Sequence, residues 1–176
     1  MFVAAGAPVV GFRDIIDGLS QTAAFSERVK GIGDGSALGA RTNVDPLNPS
    51  ATMLSVAATS DQDVGPVLYY AACLAARSPA TPAGSFGQTG SFWHQVFMNN
   101  TCYNHVMPPN AQDCNYPMGD SNHPGGASTA SSRHPGQVNV LFADGSTRSV
   151  KSSVNYQVWW NLGTKAGNEV VSASDY

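Results

Sequence analysis

Three side chains in the C-terminal third have the types of a nucleophilic triad: Ser131, His134 and Asp144. A histidine can take the proton of a serine hydroxyl, and a carboxylate can orient its ring. The spacing argues against a simple triad. Val138, Val140 and Phe142 alternate to one face, Asp144-Gly145 is a hairpin signal, and Thr147 to Val150 reads as a returning strand. His134 precedes the incoming strand and Asp144 sits at the turn. A strand rises ~3.3 Å per residue, so a straight run would hold the two about 30 Å apart. They meet only if residues 133–136 fold back. The expectation is that Asp144 makes the turn and His134 bonds a loop carbonyl. A G-x-S-x-G elbow is absent, and Ser is abundant enough to give such a trio by coincidence.

A metal is the second chemistry the residues allow. Of the four histidines, His105 and His123 lie near Asp113 and Asp120 in sequence, a loose nitrogen and oxygen set. Asp113, Asp120 and Asp144 with loop carbonyls would suit calcium or another divalent ion. Zinc on the cysteines is not expected, because there is no CxxC pair. Cys102 and Cys114 flank a short proline-containing segment, and a disulfide between them would contribute roughly 3 kcal/mol. Cys73, in an Ala-rich run, reads as a buried small hydrophobe. Trp93, Trp159 and Trp160 would serve either a sugar platform or a core. Glu27 is expected to pair with a loop backbone or with Arg133. Gly31 to Gly35 is no phosphate loop, since Lys-Ser/Thr does not follow.

These residues need elements to hold them. Asp17-Gly18 is a turn signal and Ser20 a helix cap, so residues 21–30 are predicted helical, with Phe25 and Val29 on one face. Residues 32–60 read as loop. A second helix is predicted from Asp63 to Arg77, with Pro66 in its first turn and an apolar stripe of Val67, Tyr70, Ala71 and Leu74. Phe92 to Met98 reads as a strand and Tyr103 to Met107 as a weaker one. Residues 78–90 and 110–136 read as loop. The hairpin follows, then a short helix over 154–162. The order implies α+β with an antiparallel sheet and long loops.

The chain has 176 residues and is treated as one domain over 1–176. Charged residues make up 12%, with nine Lys and Arg against twelve Asp and Glu, for a net charge of −3. That is too few cations to follow a nucleic-acid backbone. No apolar run reaches the roughly 18 residues of a membrane span. The opening MFVAAGAPVVGF lacks a basic flank and is not read as a signal peptide. Low charge and a plausible disulfide favour an extracytoplasmic location.

The segment from Ser131 to Ser146 places nine residues between His134 and Asp144-Gly145. It resembles the H-X9-DG proteins, a family of secreted bacterial proteins of unknown function expanded in planctomycetes. Three further segments are similar to that family. Asp17-Gly18-Leu19-Ser20-Gln21-Thr22 with Glu27 resembles its DGxSNT…E element. Asn104 to Asn110 with Cys114 resembles NHxxxPN…C. Trp159 through Val171 resembles W…GT…GGE, with Asn168 in place of a Gly. The resemblance implies a pilin-like head in which short helices pack on an antiparallel sheet, and partners among other pilin-like or secretion proteins. It also implies that the family's upstream prepilin-like helix is absent from these residues. A structural ion in a C-terminal loop is a further implication. The expected function is thus a non-catalytic, extracytoplasmic, pseudopilin-like head. The alternatives are an ester or lactone hydrolase using His134 with Ser131 or a metal, and a module binding cell-surface glycans through Trp93 or Trp160.

Overall fold

The computed structural model describes residues 10–30, 53–55, 66–76, 85–86, 94, 101–115 and 126–176. The architecture is α+β. In chain order the regular elements are β1 (Ala23–Ser26), β2 (Met53–Ser55), α1 (Pro66–Ala76), β3 (Ser85–Phe86), β4 (Asp113–Asn115), β5 (Gly126–Ala127), β6 (Gln137–Phe142), β7 (Thr147–Lys151) and α2 (Tyr156–Leu162).

The hairpin β6–β7 forms as its sequence predicts. Val138 pairs with Val150, and Leu141 with Thr147, in an antiparallel ladder. The Phe142 amide donates to the Ser146 carbonyl at 2.8 Å, and Gly145 N–H donates back to Phe142 at 3.0 Å. Gly145 takes φ +85°, the left-handed conformation this loop needs and glycine adopts without penalty. Val138, Val140, Phe142 and Val150 are buried on one face. Alternation of side chains along each strand leaves Asn139 and Ser149 on the other face. α2 closes over the buried face. Asn155 caps it by accepting from Gln157 N–H at 2.8 Å, and Trp159 and Leu162 point inward.

The predicted helix over 21–30 is a correction. Ala23–Ser26 is a strand, paired antiparallel with β6, with a bulge between Ala23 and Phe25. The two residues read as one helical face part company: Val29 is buried and Phe25 is half exposed. The hairpin presents an unpaired edge, and its hydrogen bonds outweigh the weak helical preference of a short segment. The resulting sheet has the order β1-β6-β7.

The helix predicted over 63–77 forms as α1, with Pro66 at its first position. Its buried side differs from the stripe expected. Cys73 is buried and Tyr70 half-buried, whereas Val67 is 61% and Leu74 44% exposed. β2, β3, β4 and β5 lie in stretches read as loop and form a second sheet in the order β3-β2-β4-β5. β2 and β4 run parallel, so this sheet is mixed rather than purely antiparallel. The strand expected at Tyr103–Met107 is irregular chain. Of the strand expected at 92–98, only His94 is described, in a turn.

The disulfide joins Cys73 to Cys114, not Cys102 to Cys114, and Cys102 is a free thiol. Strand alternation gives the reason. Asp113 and Cys114 are adjacent in β4 and point to opposite faces. Asp113 faces Arg28, whose guanidinium also holds the Cys102 carbonyl. Cys102 therefore lies on the Asp113 side, and Cys114 faces α1. Two cores result. The larger contains Val138, Val140, Phe142, Val150, Trp159 and Leu162; the smaller contains Cys73, Met107, Cys114 and Ala127.

Candidate functional site

The loop before β6 does fold back, but not toward Asp144. His134 Nε2 stands 3.3 Å from Glu27 Oε1, on the chain leaving β1. Glu27 also accepts from Asn139, at 3.1 Å from its backbone N–H and 3.0 Å from its side-chain amide. Asn139 in turn accepts from Ser149 Oγ at 3.0 Å. A polar ladder thus crosses the outer face of the three-stranded sheet. Glu27 is partly desolvated, which opposes its charge, but the Asn139 bonds and His134 outweigh this and hold the carboxyl below its ordinary value. The predicted partner Arg133 does not appear in this network.

The triad does not assemble. Asp144 sits at the hairpin tip, where one carboxylate oxygen accepts from Ser146 N–H at 2.8 Å and Ser146 Oγ at 2.7 Å. These bonds, with Arg148 at 3.7 Å, hold its carboxyl below its ordinary value. Ser131 is buried, and its hydroxyl accepts from Val29 N–H at 2.9 Å. The six residues of β6 put His134 and Asp144 at opposite ends of a strand about 20 Å long. Each of the three is committed to a different local bond. His134 bonds a carboxylate, not the loop carbonyl expected.

The described metal candidates Asp113, His105 and Asp144 each have partners of their own. Asp113 is fully buried, with Arg28 Nη2 at 2.9 Å on one oxygen and Thr129 N–H at 2.8 Å on the other. Burial pushes its carboxyl up to about 6, against the pull of Arg28 and Thr129. Arg28 donates to the Cys102 carbonyl at 2.6 Å and to Ser128 Oγ at 3.1 Å as well, so this ion pair clamps three segments at the seam of the two cores. His105 stacks on Trp159 with centroids 3.8 Å apart. Its Nδ1 lies 2.6 Å from the Trp159 carbonyl, which only accepts, so Nδ1 carries the proton. Burial pushes the ring's pKa down to about 4, so it is neutral. Among the described residues no group of three or more His, Cys, Asp or Glu side chains could hold a metal ion. Asp120 and His123 lie outside the described residues.

Trp159 and Trp160 do not make an exposed coplanar pair. Trp159 is buried. Trp160 is half-buried, with Nε1 donating to the Val106 carbonyl at 2.8 Å. Its ring meets Tyr70 and Tyr156 edge-on. Trp93 lies outside the described residues.

Sequence reasoning missed two hubs. Asp17 accepts from Gly167 N–H at 2.9 Å, Asn168 N–H at 2.8 Å and Thr164 Oγ1 at 3.0 Å, tying the turn before β1 to the chain after α2. Burial opposes its charge, and these bonds still hold it below its ordinary value. Asn168, where the resembling W…GT…GGE element has Gly, takes φ +61°. Asn tolerates that conformation better than most residues, which explains the exchange. Asn110, also at φ +61°, receives the Ser132 amide at 2.8 Å and donates to Ser152 Oγ at 2.7 Å and the Gln137 carbonyl at 3.2 Å. The available signal was Pro108-Pro109-Asn110, where a left-handed Asn after two prolines marks a sharp turn.

Among the described residues, no helix is long and apolar enough to cross a membrane. No curated protein and no solved structure matches the chain. A family described as "Protein of unknown function (DUF1559)", SBP_bac_10, matches residues 1–157, and the chain belongs to that family.

Proposed function

We propose that the chain is a non-catalytic, extracytoplasmic head, pseudopilin-like in architecture, that presents loops for assembly with other pilin-like or secretion proteins. It would be a member of the H-X9-DG, planctomycete-type set within its family. One observation carries the reading. The residues that could do chemistry in the resembling elements — Asp17, His105, Asn110, His134 and Asp144 — each bond the backbone or a neighbour that braces the fold. The Cys73–Cys114 disulfide favours an oxidising compartment. Low charge, 12% of residues, suits a surface built of Ser, Thr, Asn and Gly.

The test has two arms. The purified protein is assayed on a panel of short-chain esters and lactones, with and without chelator, beside His134→Ala. The expected result is no turnover above buffer in either. The thiol state and fractionation of the protein are then measured in its native cell. Oxidised Cys73 and Cys114, in a surface or sheared-filament fraction, are expected. Turnover abolished by His134→Ala, or a reduced cytoplasmic pool, would overturn the reading.

One observation favours a second reading. His134 is a half-exposed imidazole oriented by a carboxylate, as a general base would be. Because Ser131 faces Val29, a hydrolase would need a different nucleophile. The same assay decides between the two.

A further inference from the structure

Among the described residues the two cores are unequal, and the smaller one surrounds the cystine. Among the described residues it buries four side chains: Cys73, Met107, Cys114 and Ala127. Two of those four are the disulfide itself. The larger core buries eleven, including Trp159, Phe142 and Leu162. α1 is eleven residues, without a charged side chain or an acidic first turn to support it. An isolated helix of that length is marginal in water. Tyr70 links α1 to α2, stacked on Tyr156 at 5.2 Å and edge-on to Trp160 at 6.0 Å. Val67, Ala71, Leu74 and Ala75 face away. Around the cystine lie Met107 and Ala127, with Tyr70, Ala72, Val106 and Ala111 partly buried against them, and the disulfide is the one covalent tie among them between α1 and β4.

We propose that the Cys73–Cys114 disulfide is a redox latch: it docks α1 on the second sheet, and its reduction releases α1 while the three-stranded sheet and α2 stay folded. A dithiol reductant performs the step by two thiol–disulfide exchanges. One reductant thiolate attacks a cystine sulfur, and the other cysteine leaves as a thiolate. The second reductant thiol then attacks the mixed disulfide and expels the first cysteine. The reductant ends as a cyclic disulfide and the protein as two thiols. Both cysteines are buried, so the first attack awaits a local opening of α1 rather than unfolding of the larger core. On the extracytoplasmic reading above, the latch makes completion of the fold conditional on the compartment, a consequence that rests on that reading. The latch itself does not.

The experiment uses the full chain in a Cys102→Ser background, which removes the free thiol. Hydrogen exchange is followed by mass spectrometry on the oxidised protein and on protein reduced with dithiothreitol and alkylated. A Cys73→Ala/Cys114→Ala variant serves as a second, reductant-free form. Protection of amides in 66–76 is expected to fall by about a hundredfold or more on reduction. Amides of 137–142, 147–151 and 156–162 should keep their protection to within about threefold. Retained α1 protection after reduction overturns the latch, because the helix then docks without it. Loss of protection in the hairpin and α2 at the same time also overturns it, because the chain is then one cooperative unit. If the double variant does not fold, the reduced Cys102→Ser protein still gives one of these outcomes. The thiol state in the cell separately tests the compartment reading, since a reduced pool would refute location while leaving the latch standing.

Discussion

Glu27 is the test of the polar ladder. Its carboxylate serves three donors: Asn139 N–H, the Asn139 side-chain amide and His134 Nε2. Hydrogen bonds to a charged group are worth about 1.5–3 kcal/mol each when buried. The Glu27 side chain is 36% exposed, so solvent weakens them. His134 is 52% exposed, and an ion pair of that kind contributes about 0–1 kcal/mol. The two Asn139 bonds should therefore dominate. Glu27→Ala is expected to cost about 2 kcal/mol and His134→Ala about 0.5 kcal/mol. For a chain of this length, 1 kcal/mol shifts Tm by about 2–4 °C, so the two variants should separate by several degrees. Urea titration followed by tryptophan fluorescence measures both, because Trp159 lies in the core under the same sheet. The pH dependence adds a sign. A carboxyl whose folded pKa lies below its ordinary 4.5 stabilises the fold above that value. The contribution disappears as pH falls through the lowered pKa. The gap between wild type and Glu27→Gln should thus be full at neutral pH and close below 4.5. If His134→Ala costs as much as Glu27→Ala, or if the gap persists in acid, the ladder is not what braces the sheet.

Other perturbations follow from single contacts. Removing one partner of the buried Arg28–Asp113 pair, by Arg28→Met or Asp113→Leu, should cost about 3–5 kcal/mol, and the double variant less than the sum, read by a double-mutant cycle in urea. Gly163→Ala would place a Cβ 2.6 Å from His105 Cγ, and the forced shift of the ring should cost about 1–3 kcal/mol in the same melts. His105 is held neutral, so the stability it contributes is present above the ordinary 6.5 and lost as pH falls toward about 4. His105→Phe should flatten the acid limb of a stability–pH curve across that window. Loss of the disulfide, which closes a separation of 41 residues, should cost the docking of α1 about 4 kcal/mol by loop-closure entropy, read as the fall in α1 amide protection between oxidised and reduced protein.

The legible part of the fold was the part whose signals are local. Val138, Val140 and Phe142 alternate, Asp144-Gly145 makes the turn, and Asn155 caps the helix behind it. Nothing distant is needed to form that unit. β1 was illegible because Phe25 and Val29 satisfy a helical spacing equally well, and the hairpin edge that recruits the segment lies more than a hundred residues later. The cysteine pairing failed for a similar reason. Proximity in sequence favoured Cys102 with Cys114, but the alternation of β4 turns Cys114 away from the Cys102 side. Glu27 was recognised as structural, while its partners Asn139 and His134 were not. Their link requires that the loop before β6 fold over the end of β1, and no local pattern announces that fold. The triad types of Ser131, His134 and Asp144 stay apart as their spacing predicts, because β6 lies between His134 and Asp144.

That dispersal bears on what these motif residues do in the fold. A catalytic constellation needs its groups to converge within hydrogen-bond reach of one reacting atom. Here the pattern residues occupy different junctions. Asp17 joins the turn before β1 to residues 164–168. Glu27 and His134 lie across the outer face of the first sheet. Asn110 gathers Ser132, Gln137 and Ser152. His105 seats against Trp159 in front of Gly163. Each junction fastens an irregular segment to the hairpin–helix unit, and each uses a polar side chain to satisfy backbone groups that irregular chain would otherwise bury unpaired. A loop-rich fold needs many such fasteners, because it has fewer ladder bonds to do that task. The requirement is for specific Asn, Asp and His residues at fixed places, and it holds whatever the loops contact. The spacing of His134 and Asp144 then measures the length of β6: one residue fastens the strand's start and the other turns its end.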